Sequence, residues 1–397
     1  MKILMVTPYL PYPLHSGGQT RSFNLIKHLA KNCEITLFSF IRDVNENQYI
    51  KNLSPYCQKI KTFPRGKTWS LKKILLAGLT PYPFLIANYY SQEMKKIIQE
   101  EVKKEHYDLI HVECFYLMPN IPKTKSPVVL VDQTIEYEVY RHYVQSLPFW
   151  TGPIKPLLYF DALKLFLWEK LCWKKASQIC AVSREDKKKM IKHCHRLKVE
   201  IVQNGVDIKK FEKRIYRRAS RPTILFGIAN FKWMQNKEAA LILLREVWPQ
   251  IKKKVKNCQL WIIGRFAPQL LSHFINEKDV TIKEADDILP FYQKSWLLLA
   301  PIKSGGGSRT KFFEAMASGL PIITTPQGAE GIKAKNNREI IICRSNRQLA
   351  STAIKLIKNR LIAREIGKRG KKLITNKYSW QQSAEELNRV YKKVARK

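Results

Sequence analysis

One stretch in the C-terminal half of the chain restricts the fold more than any other part of the sequence. The apolar run Trp296–Ala300 predicts a buried parallel strand. Three successive glycines, Gly305–Gly307, then allow the backbone to turn tightly and to approach a ligand closely. A helix is predicted over Arg309–Ser318 with Gly319 as its C-terminal cap, and a second strand over Leu320–Thr325. A strand, a glycine loop, a helix and a strand in this order are typical of a parallel α/β sheet.

This glycine loop and the helix after it are suited to an anionic ligand. The first turn of a helix has free backbone N–H groups and the positive end of the helix dipole. Arg309 and Lys311 add two cationic side chains close to that turn. Glu314, one turn later, can accept two hydrogen bonds, for example from a ribose diol. The segment predicts a site for a nucleotide diphosphate, and the alternative is an ordinary surface loop.

Residues 301–332 resemble the donor-binding segment of glycosyltransferase family 4, retaining enzymes of the two-domain GT-B fold. They look most like the branch whose segment reads Gly-Gly-Gly-Thr-Arg-x-Lys-x-x-Glu-Ala-Met-Ala, as in bacterial polysaccharide biosynthesis transferases. Glu314 matches the second of two family glutamates, the one that binds the ribose, and Gly306 stands where the first would be. The resemblance implies that loop amides hold the sugar hydroxyls and that Arg309 and Lys311 act in catalysis. The donor-binding residues implied in this loop are Gly305, Gly306, Gly307 and Ser308.

The N-terminus repeats the pattern of strand, glycine turn and helix. Lys2–Thr7 is a predicted buried strand, and a proline-rich loop then ends at Gly17 and Gly18, before a helix predicted over Thr20–Lys31. Such a turn has the size of a phosphate site, although a plain strand-to-helix turn has the same sequence pattern. The segment resembles the family's N-terminal Gly-Gly loop, which implies that Gly17 and Gly18 face the donor diphosphate and the acceptor.

Two further positions follow predicted strands. Gln133 comes directly after the strand Pro127–Asp132, where the family usually has a His that contacts the transferred sugar. A Gln side chain can hydrogen-bond a sugar hydroxyl but cannot titrate. In the family, basic residues after the first strand of the second domain reach the diphosphate, and Lys232 is the nearest match, ahead of Lys237. Glu136 and Glu138 either line the acceptor side or start a solvated helix.

The alternation of strands and helices predicts an α/β protein with two Rossmann-like domains. The resemblance implies the GT-B arrangement, with the donor cleft between the domains and with Trp380 as the anchor of the last helix. The predicted parts are an acceptor-side domain over 1–207, a charged linker over 208–221, a nucleotide-sugar-binding domain over 222–377, and a C-terminal helix over 378–397 that packs back on the first domain.

The charge of the chain indicates an anionic partner. The 397 residues include 71 Lys plus Arg against 32 Asp plus Glu, a formal net charge of +39. Nucleic acid, an anionic membrane and phosphorylated substrates all fit this excess. Leu157–Trp173 has the apolar spacing of a helix that faces either a core or lipid. For the apolar stretch Leu71–Tyr90 we expect a buried helix pair rather than a membrane-surface segment. No run of about 18 apolar residues occurs, so no spanning helix is predicted.

The cysteines and histidines predict neither disulfides nor a metal site. None of the eight cysteines forms a Cys-x-x-Cys pair, and several lie in apolar runs, which is typical of reduced, buried thiols. The adjacent His193, Cys194 and His195 cannot all face one ion. Reduced thiols are typical of a cytosolic protein, and no signal peptide is recognised, so we expect a cytoplasmic protein. The high basicity and the aromatic patches add the expectation that it is peripheral at the inner face of the plasma membrane.

The sequence therefore predicts a retaining glycosyltransferase that moves a sugar from a nucleotide sugar to a glycan or lipid-linked acceptor in bacterial surface polysaccharide synthesis. We expect neither a cofactor nor a metal, an anionic membrane surface as a candidate partner, and no nucleic acid. Two alternatives remain: a nucleotide-sugar epimerase on the same fold, and a non-catalytic basic protein that binds membranes or nucleic acid.

Overall fold

The computed structural model describes residues 1–212, 218–285, 287–304 and 310–396. The chain forms two compact units, Met1–Gln203 with Ser383–Lys397, and Asn204–Gln382. The second unit thus begins shortly before the predicted linker, because Val206 N donates a hydrogen bond to Tyr378 O at 2.8 Å within it. The first residues of the predicted linker, Ile208–Glu212, are helical, and residues 213–217 lie outside the described part.

A parallel sheet of seven strands forms the centre of the first unit. The strands are β1 (Lys2–Thr7), β2 (Glu34–Ile41), β3 (Lys59–Pro64), β4 (Leu109–Glu113), β5 (Val128–Asp132), β6 (Gln178–Ala181) and β7 (Val199–Ile201). Their order across the sheet is β3-β2-β1-β4-β5-β6-β7. The central strands are near-continuous apolar runs because helices cover both faces of a parallel sheet. The direction in which the chain proceeds across the sheet reverses between β1 and β4.

Seven α-helices precede the second unit. They are α1 (Gly17–Leu29), α2 (Leu71–Leu79), α3 (Phe84–Tyr89), α4 (Gln92–Lys104), α5 (Glu136–Ser146), α6 (Lys155–Lys175) and α7 (Arg184–His193). Shorter 3₁₀ segments cover Val44–Asn52, Phe115–Asn120 and Phe149–Ile154.

One predicted helix boundary in the first unit is wrong. Helix α1 begins at Gly17 and not at Thr20, because Ser16 Oγ accepts a hydrogen bond from Gln19 N and caps the helix there. The two glycines therefore lie in the first helical turn and not in the preceding loop. Strand β3 has alternating lysines, which mark a strand exposed on one face.

The expectation of a buried helix pair over 71–90 is also wrong in its first half. Helix α3 is buried at Ile86 and Ala87, but on α2 only Ala77 is buried and the large apolar side chains are exposed. The apolar composition of this stretch indicated burial but did not indicate which of its two helices would face the core.

A second parallel sheet forms the centre of the second unit. Its strands are β8 (Thr223–Asn230), β9 (Gln259–Arg265), β10 (Val280–Lys283), β11 (Leu297–Ala300), β12 (Ile322–Thr324) and β13 (Ile341–Ile342). Their order is β10-β9-β8-β11-β12-β13, so the direction reverses between β8 and β11. The predicted α/β class with two parallel sheets is therefore confirmed.

Nine α-helices begin in the described part of the second unit. They are α8 (Ile208–Glu212), α9 (Met234–Ile242), α10 (Trp248–Lys254), α11 (Ala267–Leu270), α12 (Leu289–Lys294), α13 (Thr310–Ala317), α14 (Asn346–Lys358), α15 (Arg360–Lys377) and α16 (Trp380–Ala395). Gly319 has a φ of +70° after α13, which confirms the predicted cap. Helices α14 and α15 are separated at Asn359, whose side chain caps α15.

Helix α16 leaves the second unit and enters the core of the first. Ala384, Leu387 and Tyr391 are buried in the same apolar cluster as strand β1. Trp380, the expected anchor of this packing, instead lies within the second unit, against the backbone of Gly205. The residues that attach the helix to the first unit therefore lie one or more turns after the predicted anchor.

All eight cysteines are buried and none is in a disulfide. Burial raises the pKa of Cys57 and of Cys180 to about 12, so these thiols stay protonated at neutral pH. Across the described ranges, every helix is too short or too polar to cross a bilayer.

Candidate active site

The second unit places several predicted site residues at one edge of its sheet. Strands β8 and β11 are neighbours. From β8 the chain continues toward one edge of the sheet, and from β11 it continues toward the other edge. In open parallel sheets the crevice at such a reversal, beyond the carboxyl ends of the strands, is where ligands bind. Lys232 follows β8, and Ser304 follows β11. Ser304 Oγ donates to Glu238 Oε2 at 3.1 Å, so the loop after β11 contacts helix α9, which follows β8.

Glu314 and Lys311 lie together at the start of helix α13. Lys311 Nζ donates to Glu314 Oε2 at 2.9 Å and to Oε1 at 3.2 Å. The hydroxyl of the buried Tyr292, on α12, donates to the same carboxylate at 3.3 Å. These bonds hold the Glu314 carboxylate in one orientation while it is still partly exposed. The sequence did not indicate Tyr292 as its partner, because α12 and α13 are separated by a strand and a loop.

Lys232 lies in the turn between β8 and α9, beside Phe266. Its backbone N–H donates to Asn230 Oδ1 at 2.8 Å, and its Nζ is 3.9 Å from the centroid of the Phe266 ring. Arg265, at the end of β9, has its guanidinium 5.5 Å from the same ring. Cation–ring contacts hold both cations without neutralising them. This edge of the sheet thus carries a second cation, Arg265, that the sequence reasoning did not identify.

The centre of the predicted donor loop lies outside the described residues. It comprises Gly305, Gly306, Gly307, Ser308 and Arg309, whose predicted roles stay predictions. The described residues on either side of them are Ser304 and Thr310, the first residue of α13.

The first unit brings Gly18 and Gln133 together. Gly18 lies in the first turn of α1, and Gln133 follows β5. A Cβ built at Gly18 would overlap Tyr9 Oη and would lie 3.1 Å from Gln133 Oε1. The Nε2 of Gln133 lies 3.4 Å from the same Tyr9 hydroxyl. Glycine is therefore required at position 18 by the close approach of two side chains, and Gly17 beside it is exposed.

A buried polar network lies directly behind Gln133. The Glu113 carboxylate, at the end of β4, accepts from Gln133 Nε2 at 2.5 Å and from His111 Nε2 at 2.6 Å. Arg21 Nε, from α1, is 3.5 Å from Glu113 Oε1. Tyr391 Oη is 2.6 Å from His111 Nδ1. The His111 ring thus meets the Glu113 carboxylate at Nε2 and the Tyr391 hydroxyl at Nδ1, so both ring nitrogens have a partner.

This network fixes the charge of Glu113. Burial alone would raise the pKa of the Glu113 carboxyl group, but the hydrogen bond from His111 and the charge of Arg21 outweigh burial and leave the pKa below its usual value. An ionised Glu113 holds the Gln133 amide with its Nε2 directed inward. The side-chain oxygen of Gln133 then points toward Gly18, where it can accept a hydrogen bond from a ligand hydroxyl.

Glu113, Arg21 and Tyr9 were missed by the sequence reasoning. One signal was present: Glu113 is a charged residue at the carboxyl end of an apolar strand, where parallel sheets place functional side chains.

Glu136 and Glu138 start helix α5. Glu138 forms an ion pair with Lys189 at 2.7 Å. The backbone N–H of Glu136 donates to the fully buried Glu169 at 2.8 Å, so Glu169 caps this helix. No group of three or more His, Cys, Asp or Glu side chains among the described residues has the placement of a metal site.

Asp132→Asn is expected to reduce the pH dependence of the stability of the protein. Asp132 immediately precedes Gln133 and accepts a hydrogen bond from Trp173 Nε1 at 2.7 Å. Burial raises the pKa of Asp132 to about 8, against about 3.9 in an unfolded chain. The protonated Asp132 carboxyl group therefore contributes fully to the free energy of unfolding below about pH 4. This contribution is lost as the pH rises toward 8, by up to about 1.4 kcal/mol per pH unit. Asn keeps an oxygen for Trp173, so the thermal midpoint of the variant should fall less than that of the wild type between about pH 5.5 and 8. If the thermal midpoints of the variant and the wild type fall equally over this pH range, the Asp132 carboxyl group does not titrate as proposed.

Two glycosyltransferase family models match the chain, one on each side of residue 220. Glycosyltransferase Family 4 matches residues 15–210, and Glycosyl transferases group 1 matches residues 221–359. The capsular polysaccharide biosynthesis glycosyltransferase CapM of Staphylococcus aureus is 25% identical over 256 residues. That alignment covers 58% of this chain and 66% of CapM, just under two thirds of the relative.

Solved structures agree with the fold. Sucrose-phosphate synthase from Thermosynechococcus elongatus superimposes with a TM-score of 0.75 at 14% identity, over 99% of both chains. HepE from Anabaena, solved in complex with UDP and glucose, gives a TM-score of 0.66 at 12% identity, over 99% of this chain and 100% of HepE. At such identities the similarity supports the two-domain fold, while the family models and CapM supply the class of protein. The chain belongs to the glycosyltransferases of the GT-B type.

Proposed function

We propose that this protein is a retaining glycosyltransferase that moves a sugar from a nucleotide sugar to a glycan or lipid-linked acceptor during bacterial surface polysaccharide synthesis. The observation that carries the proposal is the pair Glu314 and Lys311 at the start of α13, beside the reversal point of the second sheet. A carboxylate with two acceptor oxygens suits a ribose diol, and the cation and the helix start suit the diphosphate attached to it. The relationship to CapM supports the polysaccharide context.

The donor diphosphate is proposed to lie against the glycine loop. Gly305, Gly306, Gly307 and Ser308 would contribute backbone N–H groups, and Arg309, Lys311 and Lys232 would contribute positive charge. These groups neutralise the diphosphate as it leaves, without a metal ion or another cofactor. Gly17, Gly18 and Gln133 are proposed to contact the sugar and the phosphate from the first unit.

Transfer is proposed to occur on the face of the sugar from which the diphosphate leaves. The bond between the anomeric carbon and the diphosphate oxygen breaks, and the acceptor hydroxyl oxygen bonds to the anomeric carbon on that same face. The hydroxyl proton passes to the departing phosphate oxygen, so configuration is retained without a protein nucleophile. Because the acceptor is proposed to be lipid-linked, the reaction would take place at the cytoplasmic face of the plasma membrane.

The proposal is tested with a panel of UDP-, GDP-, ADP- and CDP-sugars, scored by thermal stabilisation and by donor hydrolysis. Stabilisation by one nucleotide class together with slow release of the free sugar is the expected result. A product that is the epimer of the donor sugar would indicate an epimerase. Absence of any response to all four classes would contradict the transferase proposal.

Glu314→Gln is expected to weaken binding of the preferred nucleotide by about 10- to 100-fold, because hydrogen bonds to a charged acceptor contribute about 1.5–3 kcal/mol. Affinity is measured by titration calorimetry with the nucleoside diphosphate. The matched control is Glu365→Gln on α15, an exposed carboxylate in the same unit whose ion pair with Arg369 spans 3.8 Å. The control should bind like the wild type. Equal affinities of the Glu314 variant and the wild type would refute the ribose role of Glu314.

A further inference from the structure

Helix α6 of the first unit is apolar on two opposite faces. Its inner face is buried, including Leu165, Cys172 and Trp173. On the outer face, large apolar side chains recur every three or four residues and are exposed: Phe160 57%, Leu163 50%, Leu167 55% and Leu171 38%. Globular surface helices normally have one apolar stripe and one polar face. The outer stripe is therefore not explained by the packing of this unit.

Helix α2 has the same property. Leu71, Ile74, Leu75 and Leu79 are exposed, with 71% of Leu71 and 82% of Leu79 accessible to solvent. Trp69, just before the helix, is 77% exposed. These residues lie at i, i+3, i+4 and i+8, which places them on one face of the helix.

The two helices are neighbours. Lys164 Nζ, on α6, donates to Ala77 O near the end of α2 at 2.5 Å. Trp168 Nε1, one turn further along α6, donates to Pro81 O at 2.8 Å. We define the apolar surface as the exposed side chains of these two helices and of Trp69: Trp69, Leu71, Ile74, Leu75, Leu79, Leu157, Phe160, Leu163, Leu167 and Leu171.

The charges around the apolar surface are of one sign. Helix α2 carries Lys72 and Lys73 and no carboxylate. The two carboxylates of α6 are turned toward the protein: Asp161 Oδ1 accepts from Phe84 N at 2.9 Å, and Glu169 is fully buried. The cations of α6 form a larger set of Lys155, Lys164, Lys170, Lys174 and Lys175.

We propose that the apolar surface is the docking site of this protein on an anionic lipid bilayer. Large apolar side chains exposed together on two neighbouring helices mark an interaction site, and helices with an apolar stripe bordered by Lys lie in the interface between headgroups and acyl chains. Each Lys near an anionic leaflet adds attraction, and the net charge of +39 acts in the same direction. That same charge opposes a second copy of the chain as the occupant. The inference rests on the proposed function only in that a lipid-linked acceptor explains why a transferase would dock there.

The test measures the fraction of purified protein that floats with vesicles of phosphatidylglycerol and phosphatidylcholine, compared with vesicles of phosphatidylcholine alone. The wild type should float with the anionic vesicles and much less with the neutral ones. Two variants each remove one stripe: Leu71→Ser with Leu75→Ser and Leu79→Ser, and Phe160→Ser with Leu167→Ser. Each should lower the partition coefficient about tenfold or more, because exposed leucine and phenylalanine side chains supply the buried apolar area.

The matched control is Leu361→Ser, an exposed leucine of the second unit that lies outside the apolar surface. It should float like the wild type. All altered side chains are exposed, so the thermal midpoints should stay close to that of the wild type. If both variants keep that midpoint and float unchanged, the proposal is wrong. If instead they lose self-association in light scattering while flotation is unchanged, the occupant is a second copy.

Nucleotide binding and donor hydrolysis are measured on the same variants without lipid. Both should match the wild type, because the altered residues lie in the first unit and outside the residues assigned to the donor. Flotation without any nucleotide response would leave the docking surface in place and refute the transferase. A nucleotide response without flotation would support the transferase and refute the docking surface.

Discussion

Glu113→Ala is expected to lower the free energy of unfolding by about 3–5 kcal/mol, the largest stability effect expected of a single substitution here. The carboxylate is almost fully buried and joins Arg21, His111 and Gln133. Removing it takes this countercharge away from the buried Arg21 guanidinium, and the loss of one partner of a buried charge pair is strongly destabilising. Urea-induced unfolding followed by circular dichroism measures the change.

Two comparisons make this prediction specific. Glu105→Ala removes an ion pair of shorter distance, 2.6 Å to Lys2, but that carboxylate is 50% exposed. Its loss should cost only a small fraction of the loss expected for Glu113→Ala, because water screens exposed pairs. The double variant Arg21→Met with Glu113→Leu removes both buried charges and should recover part of the stability lost by Glu113→Ala. If Glu113→Ala costs no more than Glu105→Ala, the network does not stabilise the fold in the way its geometry indicates.

The elements that carry the glycine turns could be predicted because their signals are local. The strand Lys2–Thr7 is observed with the predicted bounds, and β11 differs by one residue from the predicted run Trp296–Ala300. A continuous apolar run bounded by glycine or proline is enough to indicate a buried parallel strand. Gly319 could be predicted as a cap because its signal is also local. It follows the predicted helix, and glycine tolerates the positive φ that is observed there.

The network behind Gln133 could not be predicted, because its partners are far apart in the chain. His111 and Tyr391 are separated by 280 residues, and no local pattern joins them. The ion pair of Arg21 and Glu113 likewise depends on β1 and β4 being neighbours in the sheet. Sequence reasoning identified Gln133 from its place after a strand, but the partners that orient it became visible only with the strand order.

The exposure of helix α2 shows a different limit. Its leucines have the composition of a core helix, and the sequence offers no way to tell a partner within the chain from a partner outside it. The fold determines which of the two helices faces the core. Helix α3 has buried side chains, whereas on α2 only Ala77 is buried. An apolar segment whose fold leaves it exposed is thus a better indicator of an external partner than its composition alone.

Lys311→Ala is expected to lower the turnover of the nucleotide sugar by about 10²–10³-fold, the largest functional effect expected of a described residue. Lys311 lies in the first turn of α13, and its Nζ is held 2.9 Å from Glu314 Oε2. A cation held in place before the reaction stabilises the charge that develops on the leaving diphosphate at little reorganisation cost. Because this charge is largest in the transition state, kcat should fall more than KM rises.

The kinetics of donor hydrolysis and of transfer are compared in three lysine variants. Lys311→Arg keeps the charge and should retain much of the activity that Lys311→Ala loses. Lys254→Ala, an exposed lysine on α10 of the same unit with no role assigned toward the donor, should behave like the wild type. The double variant Lys311→Ala with Glu314→Gln should lose less than the two single losses combined, because the pair shares hydrogen bonds. A rise in KM at unchanged kcat would instead show that Lys311 binds the donor equally in the ground and transition states, and the catalytic role would then have to be carried by the other cations of this edge.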